Sequence, residues 1–252
     1  MSTTGNHSPK IICISSGKGG VGKTSFSVNI ATALSQKGRR VLLIDGDLGL
    51  ANVDIVLGLN VRHTVRESIE EGRELTDCLV EITPGFQVLP ASSGVPEMAS
   101  LSLADQAFLT SNLEEIIHHF DYVLIDTAAG IGDSVLWFNT WARMNIVILT
   151  PDPTSLTDAY ALIKVLHTRH GKKCFHLMLN SVKSKKEGKE VFANMSMVLE
   201  RFLNIRPLAL GAMLQDAAVA GAIRSQKPFL LTMPGSKASL EILAVADRIM
   251  AM

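Results

Sequence analysis

Eight consecutive residues, Gly17-Lys18-Gly19-Gly20-Val21-Gly22-Lys23-Thr24, have the types and the spacing to grip a polyphosphate. Glycine carries no Cβ, so successive main-chain N–H groups can turn inward around an anion. An apolar run, Ile11-Ile12-Cys13-Ile14, precedes the loop and reads as a buried strand. Apolar residues at helical spacing (Phe26, Ile30, Ala33, Leu34) follow it, so a helix begins near Gly22 or Lys23. The helix start adds its unpaired donors and its positive dipole end, with Ser25 in the first turn. In a strand, loop and helix context, G-x-x-x-x-G-K-[ST] binds a nucleoside triphosphate. Lys23 then lies against the β and γ phosphates, and the Thr24 hydroxyl takes one position on Mg²⁺. A glycine-rich turn without a ligand is the plain alternative, and it leaves both flanks unexplained.

Carboxylates at two further strand ends fit the same chemistry. Val41-Leu42-Leu43-Ile44-Asp45 is a second buried strand, and Asp45 and Asp47 follow its tip two residues apart. Acids just beyond a parallel strand face the crevice that the phosphate loop opens on. They either hold water or Mg²⁺, or cap the next helix. Tyr122-Val123-Leu124-Ile125 runs into Asp126, and a carboxylate at such a tip reaches the Mg²⁺ shell through water.

The elements that must position these groups alternate along the chain. Strands are expected over residues 41–45, 86–90, 121–126, 145–150, 175–179 and 207–214, and short helices and loops over 61–80. Helices are expected over 104–120, 154–170, 191–203, 216–224 and 236–251. This is an α/β protein with a mostly parallel, doubly wound sheet and helices on both faces. Residues 10–252 read as one domain behind a polar, disordered lead-in at 1–9.

Bulk properties exclude several classes. Formal net charge is +0, which gives no reason to expect nucleic acid as a partner. The densest basic cluster, Lys183, Lys185, Lys186 and Lys189, is broken by Glu187 and Glu190 and reads as a solvated loop and helix start. Cys13, Cys78 and Cys174 form no CxxC pair. Cys13 and Cys174 fall in apolar runs where a buried thiol is expected, which suits a reducing cytoplasm without disulfides. The N-terminus has no apolar signal core, and no apolar run nears the ~20 residues of a membrane span.

Lys18 is a second lysine that the generic loop does not require. With it, Lys-Gly-Gly-Val-Gly-Lys-Thr resembles the deviant Walker A loop of the MinD/ParA class of ATPases. Asp45-Gly-Asp-Leu-Gly-Leu-Ala-Asn-Val-Asp54, with Val56-Leu57-Gly58, resembles switch I of MinD-like proteins. Its wording is similar to that of the flagellar number regulators FlhG/FleN (YlxH). Asp126-Thr-Ala-Ala-Gly-Ile131 is similar to switch II, and residues 150–164 to a block that separates the flagellar group from MinD itself. Leu179-Asn180 resembles the adenine-recognition strand end. Nearly the whole chain from residue 10 onward is covered.

The resemblance implies a slow Mg²⁺-dependent ATPase that is activated by forming an ATP-dependent homodimer. Lys18 would act in trans on the partner subunit's phosphates, Asp47 would orient the attacking water, and Asp126 would support Mg²⁺ from the outer shell. Asn180 would read the adenine edge, with the backbone near Leu214 and Gln215 completing the base pocket. Asp152 stands where relatives carry a glutamate that touches the partner's nucleotide, and Leu214 where proline is common. A protein partner in flagellar regulation is implied: a transcription regulator, the GTPase FlhF or a switch-complex component. The N-terminus lacks the motif by which relatives activate FlhF. Alternatives on related scaffolds are a membrane-cycling MinD-type regulator, a ParA-type partitioning ATPase and an ATP-driven metabolic enzyme. A membrane helix needs cations beside its apolar stripe. After Pro234 the cations are Lys237 and Arg248, so the apolar face of Leu240, Ile242, Leu243, Val245, Ala246, Ile249 and Met250 is expected to pack on the sheet. The expected location is cytoplasmic, with peripheral contact at the inner face of the membrane as the alternative.

Overall fold

A parallel sheet covered on both faces needs strands that are apolar throughout, and these strands are. The computed structural model describes residues 8–92 and 101–252, so most of the expected lead-in lies outside the described residues. Among the described residues one sheet contains β1 (Lys10–Ser16), β2 (Val41–Gly46), β3 (Val80–Thr83), β4 (Phe86–Leu89), β5 (Tyr122–Ala129), β6 (Met144–Leu149), β7 (His176–Val182) and β8 (Leu208–Leu214). Their order is β3-β4-β2-β5-β1-β6-β7-β8, antiparallel only between β3 and β4.

Strand alternation divides the core. Ile12 and Ile14 of β1 join one cluster with α1 (Lys23–Gln36), α8 (Ala217–Ser225), α9 (Phe229–Thr232) and α10 (Lys237–Ala251). Ile11 and Cys13 face the other side, toward α3 (Val65–Glu71), α4 (Leu103–Ile116) and α5 (Asp133–Trp141). Farther along that face, α6 (Pro153–His170) and α7 (Lys185–Leu203) cover β6 and β7. A short α2 (Val53–Leu57) follows β2. The C-terminal helix packs on the sheet through most of the expected face: Ile242, Val245, Ala246 and Ile249 of α10 are fully buried and Leu243 and Met250 partly so, but Leu240, expected on that face, is exposed. Among the described residues no helix is long and apolar enough to cross a membrane.

Several elements differ from the sequence expectation for identifiable reasons. The four-residue β3 and the nine-residue α5 were not anticipated. β3 is a partly exposed edge strand with no strong alternation. Helix α7 starts at Lys185 rather than 191, because the Ser184 side chain accepts from Glu187 N at 3.1 Å and caps the charged first turn. Cys13 and Cys78 are buried, but Cys174 is exposed, since β7 begins only at His176.

One buried polar tie holds the site-bearing helix to the C-terminal layer. Asn29 of α1 donates to Ser25 O at 2.7 Å and accepts from Leu230 N at 2.9 Å. Asn29→Ala strands that buried N–H without an acceptor, at a cost of about 1–3 kcal/mol. The denaturant midpoint should fall accordingly, and an unchanged midpoint would show that α9 is held by packing alone.

Candidate functional site

The phosphate loop leaves β1 between its neighbours β5 and β6, where loops from the strand ends border a crevice. Gly22 caps α1 with φ +93°, a left-handed conformation that suits glycine. A Cβ on Gly17 would fall onto the main chain of Asp158 and Ala159, so that position must also be glycine for the loop to lie against α6. Helices α3, α4, α6, α7, α8 and α10 each start on a residue whose side chain caps the first turn. Helix α1 has no side-chain cap and no acid in its first turn. Its leading N–H groups are therefore left for an anion, and the space beside Gly19 and Gly20 is open.

Beneath the loop lies a compact cluster of charge. Lys23 is buried, and burial lowers its pKa while Asp126 and Asp47 act to raise it. Asp126 is buried within β5, which runs three residues past the expected end, and is in register with Ile14 of β1 and Asp45 of β2. Desolvation raises its pKa; hydrogen bonds from the Thr24 and Ser27 side chains and the charge of Lys23 oppose that rise. The Ser27 hydroxyl donates to Asp126 Oδ1 at 2.9 Å. Ser27 was not anticipated from the sequence, although its place one turn after Lys23 is where a helix directs a side chain back toward the loop.

The two acids at the end of β2, Asp45 within the strand and Asp47 just beyond it, have separate tasks. Asp45 is buried and accepts from the N–H groups of Asp47 (3.1 Å), Asn52 (3.0 Å) and Val53 (3.1 Å), folding the connection from β2 to α2. It is the capping group. Asp47 is half-buried, accepts weakly from Leu50 N at 3.3 Å, and faces the charge of Lys23. Burial raises its pKa. Asp47 and Asp126 thus both face Lys23, and the Thr24 side chain bonds to Asp126. Among the described residues no group of three His, Cys, Asp or Glu side chains could hold a metal by itself. A Mg²⁺ at Thr24 would need oxygens from phosphate and water, which is how this ion is usually held.

Lys18 is placed apart from that cluster. Its Nζ lies 2.5 Å from Asp152 Oδ2 and 2.5 Å from Thr154 Oγ1, at the start of α6. Both partners of the ion pair are substantially exposed, at 39% and 43%. Asp152 also caps α6 through Thr154 N at 3.0 Å, and its pKa is lowered chiefly by Lys18. The pairing within one chain was not foreseen from the sequence, because residues 18 and 152 are joined only by the fold.

Asn180 comes to the loop from the end of β7. Its Nδ2 donates to Val21 O at 2.7 Å and its Oδ1 accepts from Ser181 N at 2.8 Å, so it braces the loop as well as lining a cavity of about 260 Å³. Leu214, Gln215, Val219 and Ile223 line the same cavity. Asn180, Leu214 and Gln215, the three residues expected around an adenine, thus line one cavity, and Asn180 links it to the loop at Val21.

A family model described as an AAA domain matches residues 9–175. The antiactivator FleN of Pseudomonas aeruginosa is 42% identical over 243 residues, covering 96% of this chain and 87% of that protein. The flagellum site-determining protein YlxH of Helicobacter pylori is 33% identical over 221 residues, covering 86% of this chain and 74% of that protein. In a solved structure of the MinC:MinD cell division protein complex from Aquifex aeolicus, one chain is 26% identical and superposes with a TM-score of 0.79, covering 96% of both chains. On these matches the chain belongs to the MinD/ParA class of P-loop ATPases, alongside the flagellar regulators FleN and YlxH.

Proposed function

We propose that this protein is a slow, Mg²⁺-dependent ATPase whose ATP-bound form is a homodimer, and that hydrolysis times its hold on a protein controlling flagellar number or placement. The observation that carries the reading is the position of Lys18. Its ammonium is exposed beside the loop, bound to Asp152 and Thr154, while Lys23 alone is buried against the carboxylates. A lysine so placed serves the phosphates of a second subunit more readily than its own. Surface ion pairs contribute little to stability, so Lys18 can leave Asp152 when a partner's phosphates offer more negative charge.

Within one subunit, the loop amides and Lys23 bind and orient the triphosphate, with Asn180, Leu214 and Gln215 around the base. Thr24 would hold Mg²⁺ directly, and Asp47 and Asp126 from its outer shell. The metal, when bound, neutralises charge on the phosphates. Asp47 orients water for in-line attack. Lys18 of the opposing subunit supplies positive charge to the transferring phosphoryl group, and an added cation of this kind is worth ~10³-fold or more in phosphoryl transfer. Loss of the γ-phosphate frees the connections after Asp47 and Asp126, and the dimer opens.

FleN is described as an antiactivator and YlxH as site-determining for the flagellum. On that likeness the partner is a flagellar transcription regulator, with FlhF or a switch-complex component as other candidates, and the protein acts in the cytoplasm. A membrane-cycling role is less favoured, because most of the apolar face of α10, Ile242, Val245, Ala246 and Ile249, is already buried. Co-sedimentation with anionic liposomes in ATP would reinstate it.

Lys18→Ala should keep nucleotide affinity, read by fluorescent ATP titration, and lose the rise in turnover per subunit with protein concentration. Unchanged turnover would remove the trans-lysine. Asp47→Ala should accumulate an ATP-loaded dimer on size-exclusion chromatography, while ADP leaves a monomer. Equal elution in ATP and ADP for both wild type and variant would reject the timer.

A further inference from the structure

We propose that the outer edge of β8, between α7 and α10, is a docking groove for an extended acidic segment of a protein partner, which adds beside β8 as a further strand. β8 is the last strand of the sheet, so its outer main-chain groups meet no strand among the described residues. An exposed edge of this kind invites strand addition. The two helices that flank it do not close over it. They leave a cavity of about 400 Å³ floored by Ala209, Leu210, Gly211 and Ala212 and walled by Phe192. A second cavity of about 300 Å³ continues it along Ala212 to Leu214 and Leu240. Small residues let the two helices sit close against the faces of β8, so that they form the walls of the trough. A Cβ on Gly211 would press on Glu241, Val245 and Arg248, and one on Gly188 would meet Ala212.

Charge selects the occupant. Lys185 and Lys189 of α7 and Lys237 and Arg248 of α10 line the two cavities, against the single carboxylate of Glu241. Glu241 is already taken by Arg248 at 3.1 Å, and the same guanidinium covers the outward carbonyl of Leu210 at 2.6 Å. The chain is neutral overall, yet this trough carries a net excess of cations. A second copy of the chain, edge to edge, would set these cations against one another. An acidic strand with apolar residues at alternate positions satisfies both walls: carboxylates meet the lysines and the intervening side chains enter beside Phe192 and Ala209. Exposed Leu208 and Leu240, at 48% and 59%, extend the apolar floor at either end.

The test uses the full chain without nucleotide, so its outcome is independent of the ATPase reading. A fluorescein-labelled peptide alternating glutamate and valine is titrated by anisotropy against one alternating lysine and valine. The glutamate peptide should bind and the lysine peptide should not. Lys185→Glu/Lys189→Glu should weaken binding by ~10-fold or more, and Ala209→Phe, which fills an exposed part of the floor, should weaken it with the charges intact. Amide hydrogen exchange in residues 208–214 should slow when the peptide binds. Both variants should retain ATP uptake. Equal binding of the two peptides, or binding without slowed exchange in β8, would overturn the proposal. So would concentration-dependent self-association that blocks the peptide, or binding of anionic vesicles in place of it.

Discussion

A helix whose first turn lacks a side-chain acceptor must find one elsewhere, and α1 is such a helix. Its start on Gly22 leaves donors uncapped, whereas the other long site-bearing helix, α6, is closed by Asp152. Much of the neighbouring structure follows from keeping that end open and rigid. Gly17 lets the loop rest on the main chain of α6, Asn180 ties Val21 to the end of β7, and Asn29 ties the helix to α9. The loop is anchored on three sides, so its amides are already arranged before a phosphate arrives. Such preorganisation is where binding energy is gained without a further ordering cost.

The same constraint explains why buried charge is tolerated. Asp45 and Asp126 stand in register on adjacent strands, both buried; beyond desolvation, the charge of Asp126 raises the pKa of Asp45, and that of Asp47 raises the pKa of Asp126. Buried carboxylates are costly unless hydrogen-bonded. Asp45 is compensated by three main-chain donors, which makes it a structural acid that shapes the loop carrying Asp47. Asp126 is compensated by Ser27, Thr24 and Lys23. Lys23, itself desolvated, depends in turn on Asp126 and Asp47. Lys23 therefore faces two carboxylates, Asp126 and Asp47, while Asp45 is held by main-chain donors.

The phosphate loop, the strand tips and the sheet class were legible in the sequence because each is local: a glycine spacing, an apolar run ending in acid, an alternation of elements. From the residues alone Asp45 and Asp47 could be placed at the crevice but not told apart, and only the resemblance singled out Asp47, since the path of the chain after β2 decides which one turns back to cap it. Ser27 was missed because a serine in a helix carries no signal until β5 puts Asp126 beside it. Helix α5 and strand β3 are short and depend on their neighbours. The charged start of α7 looked like loop because its cap, Ser184, is a single residue among lysines.

Neutral composition illustrates the limit of summed properties. A net charge of zero argues against a strongly charged partner only if the charges are evenly spread. Here Lys183, Lys185, Lys186 and Lys189 read as a solvated run interrupted by glutamates, and part of that reading is right: Glu187 closes the helix start and Lys186 lies 3.9 Å from Glu190. Helical geometry then sorts the rest. Lys185 and Lys189 are four residues apart, so they share a face, and the fold turns that face toward β8 and opposite Lys237 and Arg248 of α10. Charges separated by some fifty residues of chain thereby act as one surface. The acids that balance them in the sum lie elsewhere, Asp45, Asp47 and Asp126 among them. A neutral total is thus compatible with a local excess of cations along the edge of β8.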